Sequence, residues 1–106
     1  MSLQNVNEVD AIGIDKETGF VTLAIFDSLN WEDEESHLML LQEKLNVYLS
    51  FIESGEIYSV YEKAKGREIE ISIHFKHDIP YRCKEFLDKA SIIISDAGFH
   101  LKYKIG

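Results

Sequence analysis

Apolar and polar residues alternate strictly over Arg67–Lys76. Ile69, Ile71, Ile73 and Phe75 fall on one parity; Glu68, Glu70, Ser72, His74 and Lys76 fall on the other. A period of two predicts a β-strand with one face on a core and one in water. Phe99–Ile105 repeats the pattern, with Phe99, Leu101, Tyr103 and Ile105 inward and His100, Lys102 and Lys104 outward. Val9–Asp15 and Phe20–Asp27 are short, rich in strand formers and separated by Lys16–Gly19. Gly19 can take positive φ, so the pair predicts a β-hairpin. Phe20–Phe26 carries apolar residues at both parities, as expected of a central strand covered on both sides.

Two stretches carry the helical period instead. Pro80–Ala97 places Cys83, Phe86, Leu87, Ala90, Ile93, Ile94 and Ala97 on one stripe, leaves Ile92 off it, and ends at Gly98. Trp31–Ser54 predicts a longer helix, with Asn30 as its N-cap, Asp33 at the capping-box position, and Glu32–Glu35 in the first turns where the dipole favours acids. Ile57, Val60, Tyr61 and Ala64 suggest a short helical turn folded back on that helix, before Lys65-Gly66 reverses the chain. The order is β-β-α-β-α-β. It predicts an α+β fold: a two-layer sandwich of a four-stranded mixed sheet with two helices on one face. A right-handed parallel crossover joins the last two strands.

The long helix has more grease than a sheet requires. Leu38, Leu41, Leu45, Tyr48, Leu49 and Ile52 form its core stripe, while Leu40, Val47 and Phe51 form a second stripe about a third of a turn away. Three covers compete for that second stripe: the Ile57–Tyr61 turn, a second copy of the chain across a two-fold axis, or a different partner. Burying the three side chains contributes on the order of 5 kcal/mol before association costs.

Composition narrows the function classes. The 106 residues suit a single domain, 1–106, with residues 1–8 as a loose N-terminal arm. The formal net charge of −8 disfavours nucleic acid and favours solubility or a basic protein partner. One cysteine, Cys83, excludes an intramolecular disulfide and suits a reducing cytoplasm. The longest apolar runs, Leu23–Phe26 and Leu38–Leu41, fall far short of the ~20 residues of a membrane span.

Candidate chemistry is sparse. His74 and His77 form a close pair, but their parities differ, and a zinc site needs at least three converging ligands. Cys83 lies on an apolar stripe and reads as a small buried hydrophobe. Asp10 and Asp27 sit at the open end of the hairpin and read as surface charges rather than a carboxylate pair. No serine-hydrolase elbow, phosphate loop, dinucleotide fingerprint or CxxC is present. No catalytic, metal or cofactor residue is assigned.

The runs "VDAIGID", "GFVTLAIFDSLNW", "HLMLLQEKLNVYLSFIESGEI" and "AKGREIEISIHFKHDIP" resemble a family of small bacterial proteins of unknown function. The resemblance covers Val9 to about Phe99. It implies a stand-alone bacterial cytoplasmic protein and brings no activity or site residues with it. Three functions are expected to compete. The leading one is a non-enzymatic interaction module that forms a homodimer through Leu40, Val47 and Phe51 of the 31–54 helix. The others are an acidic immunity-type protein neutralising a basic toxin, and a ligand binder or enzyme using the open sheet face around Thr22, Ser72, His74 and His100.

Overall fold

The structure is a computed structural model that describes residues 7–106. The expected loose arm lies, up to residue 6, outside the described residues. Strands β1 (Ala11–Ile14) and β2 (Val21–Asp27) form the hairpin, antiparallel as expected. Gly19 closes it at φ +75°, and the Asp15 carboxylate accepts the amides of Glu17 and Thr18 inside the loop. Helix α1 (Glu34–Glu53) leads into the short helix α2 (Glu56–Val60) and a 3₁₀ turn at Glu62–Ala64. Strand β3 (Ile69–Phe75), helix α3 (Tyr81–Asp96) and strand β4 (His100–Ile105) complete the chain.

The sheet order is β1-β2-β3-β4, and β3 pairs parallel to both β2 and β4. Each parallel step needs a crossover, and the helices supply it. Val21, Leu23 and Ile25 of β2 and Ile69, Ile71 and Ile73 of β3 join one core with Leu41, Leu45, Tyr48 and Ile52 of α1 and Cys83, Leu87 and Ile94 of α3. Both long helices therefore cover the same face, giving the expected two-layer α+β sandwich.

The elements themselves depart from the sequence expectations in three places. First, α1 starts three residues late. Asp33, not Asn30, caps it by accepting the amide of Ser36, while the Asn30 side chain accepts the amide of Glu32 in a preceding bend. The delay leaves Trp31 outside the helix, where its indole lies flat on the His37 ring at 3.5 Å between centroids. Second, the outer face of β3 is not uniformly wet. Ser72 is 1% exposed and Glu70 8%, because β3 is flanked on both sides and the Lys102 side chain reaches Glu70. Third, Tyr103 and Ile105 share the inward parity of β4, yet 40% and 43% of their surface is exposed, as befits the open edge of the sheet.

Candidate functional site

The outer face of the sheet is built from the even-numbered residues of β2, β3 and β4. Register places Gly13, Thr22, Glu70 and His100 in one row across the strands, Ala11, Ala24, Ser72 and Lys102 in the next, and Phe26, His74 and Lys104 in a third. The middle of this surface is made of small side chains. The result is a trough of about 500 Å³, lined by Ala11, Gly13, Thr22, Ser72, His74, Lys102 and Lys104 among others. Lys102 Nζ lies 3.1 Å from Glu70 Oε1 and 3.7 Å from Asp15 Oδ2, so its stem crosses one end. The Ser72 hydroxyl lies 3.3 Å from His74 Nε2. The Thr22 hydroxyl is shielded and has no hydrogen-bond partner among the described residues.

Three of the four residues expected on this face therefore meet in one trough. His100 stands apart: its ring stacks on Phe20 at 4.9 Å and its Nε2 pairs with Glu68 at 3.0 Å. The Ser72–His74 contact does not make a nucleophile. A serine nucleophile needs access to substrate and a base oriented by a third group. Ser72 is almost fully enclosed, and no carboxylate contacts His74 among the described residues. Cys83 is equally unsuited: burial, then the charge of Asp27, pushes its thiol up to about 12, far from the thiolate that reacts.

The inner face of α1 holds side chains that hydrophobic patterning passes over. His37 and Lys44 are buried alongside Leu41, Leu45, Tyr48 and Ile52. His37 Nε2 lies 2.5 Å from Asp27 Oδ2, and its Nδ1 lies 3.0 Å from the Asn30 carbonyl oxygen. Both ring nitrogens are engaged, so the imidazole has no free lone pair for general-base work. Lys44 Nζ donates to Asp10 Oδ1 at 2.8 Å, while Asp10 Oδ2 accepts the amide of Phe26. The Tyr48 hydroxyl donates to the Ala24 carbonyl and accepts the amide of Asp10. Asp10 and Asp27, expected as surface charges, are instead buried carboxylates, Asp10 paired with Lys44 and Asp27 in contact with His37, both from α1. The row His37, Leu41, Lys44, Tyr48 is itself a helical i, i+4, i+7, i+11 series and was available as a signal.

Leu40, Val47 and Phe51 are half-buried. Val47 and Phe51 border a crevice with Asn7 and Val9, and Leu40 lines another with Leu29 and Asn30. The strongly exposed isoleucines are on α3: Ile92 and Ile93 are each 64% exposed. An apolar groove of about 140 Å³ runs between α1 and α3, walled by Leu45, Leu49, Phe86, Ala90, Ile93 and Ile94 and rimmed by Gln42, Asn46 and Lys89.

A family model matches residues 1–106 of this chain. The chain belongs to DUF6572, a family of unknown function. No curated protein and no solved structure matches it. Among the described residues of this DUF6572 chain, no helix is long and apolar enough to cross a membrane.

The trough carries a pH signature. Burial first, then the charges of Lys104 and Lys102, holds His74 below its ordinary 6.5. The unfolded chain thus binds this proton more readily than the folded one, and stability rises with pH wherever that difference operates. The contribution of His74 is complete above about pH 6.5 and is lost as pH falls through the lower folded value. Urea midpoints measured at a series of pH values should fall on acidification through this window. The His74→Gln variant should show a shallower fall over the same range.

Proposed function

We propose that this chain is a non-enzymatic interaction module that pairs with a second copy of itself through its helix layer. The observation that carries the reading is the α1–α3 groove with the exposed Ile93 on its wall. A knob next to a hole on one surface is self-complementary across a two-fold axis, so Ile93 of each protomer can enter the groove of the other. The rim of Gln42, Asn46 and Lys89 carries no acid, whereas the chain as a whole carries −8. The groove lining therefore adds no carboxylate–carboxylate repulsion of its own when two copies meet there. At 20 and 16 residues, α1 and α3 offer a surface roughly 25–30 Å long, in keeping with a standard interface of about 800 Å² per partner.

The Leu40–Val47–Phe51 stripe is the competing surface for the same dimer. A charged substitution at each place separates the two. Ile93→Glu should shift sedimentation to the monomer with little change in melting temperature, because the side chain is largely in water already. Phe51→Glu should lower stability, since Phe51 packs against the core, and leave association intact. The reverse pattern, dissociation by Phe51→Glu alone, moves the interface to the stripe. A basic protein partner is the second reading, favoured by the charge of −8. Binding of that kind weakens steeply with salt, whereas apolar self-association does not.

A further inference from the structure

We propose that β4 is a docking edge for an extended partner segment in which acidic and apolar residues alternate, its acids meeting Lys104 and its apolar side chains continuing the row of Tyr103 and Ile105. Among the described residues, β4 pairs with β3 on one side and with no strand on the other. An open edge of six residues presents main-chain donors and acceptors that can receive an added strand. The opposite edge, β1, is four residues long and carries no charged side chain. Length and charge both single out β4.

The paired side of β4 already shows what the strand accepts. The run Glu68–Ile71 alternates acids with isoleucines; Glu68 Oε1 lies 3.0 Å from His100 Nε2, and Glu70 Oε1 lies 3.1 Å from Lys102 Nζ. That pattern stops at Lys104. Its register partner is His74, and it makes no ion pair among the described residues. On the other face Leu101 is half-buried, whereas Tyr103 and Ile105 are 40% and 43% exposed, so the apolar row runs past its cover. An added strand would set its acids beside Lys104 and its apolar residues beside Tyr103 and Ile105, on the two faces that alternation assigns. A second copy of β4 fits this edge poorly. Antiparallel self-pairing centred on Tyr103 sets Lys102 against Lys104, and like charges directly opposite destabilise a pair. Edge lysines that bar self-pairing in this way still admit a complementary acid. The edge is separate from the groove between α1 and α3, so the inference does not rest on self-association there.

The test is a titration of isotope-labelled protein with a synthetic peptide of the length of β4 in which glutamate and valine alternate, followed by amide chemical shifts and amide hydrogen exchange. A peptide with lysine in place of glutamate keeps the alternation and reverses the charge. A scrambled peptide with its glutamates together keeps the charge and loses the alternation. The alternating glutamate peptide should move the amides of Leu101–Ile105 and slow their exchange, with both controls binding about fivefold or more weakly. Lys104→Glu should weaken it about tenfold, one exposed attraction being exchanged for a repulsion, and should favour the lysine peptide instead. Lys104 is exposed, so this variant should keep the rest of its spectrum. Absence of shifts in β4, equal effects of the scrambled peptide, or undiminished binding by Lys104→Glu would overturn the proposal. So would β4 amides that respond to protein concentration alone, the mark of a second copy on this edge.

Discussion

Lys44→Ala is expected to destabilise the fold by about 3–5 kcal/mol, the cost of leaving one member of a buried ion pair without the other. Lys44 is fully enclosed, and its partner Asp10 is nearly so. The Asp10 carboxylate also accepts the Phe26 amide, and the Asp10 amide donates to Tyr48. Loss of the ammonium therefore disturbs the tie between the segment leading into β1, strand β2 and the middle of α1. A domain of this size is stable by roughly 5–15 kcal/mol, so the variant should melt on the order of 15 °C lower. Asp10→Ala should also destabilise, and the double variant should cost clearly less than the sum of the two. That non-additivity, read from denaturant unfolding, separates a coupled pair from two independent packing losses.

His37→Ala is expected to cost a similar amount, about 3–5 kcal/mol, by a different route. The imidazole bridges Asp27 at the end of β2 and the Asn30 carbonyl in the loop, with Trp31 stacked on its face. Removing it strands a buried carboxylate and takes away the surface on which Trp31 rests. Thermal melting gives the size of the loss, and tryptophan fluorescence reports its place: the emission of Trp31 should shift to the red in the folded variant. Unchanged emission and a loss under about 1 kcal/mol would mean that the cluster contributes little.

Much of the architecture is legible in the pattern of side chains. The strict alternation of β3 and the single stripe of α3 each follow from one periodicity, and the mixed sheet follows from the order of elements. What patterning misses is long-range. His37 and Lys44 lie on the same helical row as Leu41 and Tyr48, but a histidine and a lysine read as solvent-facing until their partners are known. Those partners, Asp27 and Asp10, are 10 and 34 residues away in sequence. Alternation likewise fixes which residues of β3 share a face. It does not say that Lys102 and the flanking strands will enclose Ser72 and Glu70. The trough was half visible: Thr22, Ser72 and His74 converge as expected, while the Phe20–His100 stack takes His100 out of it. The apolar surplus of the long helix was visible too, but the barest isoleucines belong to α3, where Ile93 sits on the inward stripe and projects past its cover.

Self-association through the helix layer is most directly tested by the molar mass of the unmodified protein in solution. Light scattering across a concentration series into the high micromolar range should approach twice the 12.2 kDa of one chain. A mass that stays at 12.2 kDa throughout would contradict it.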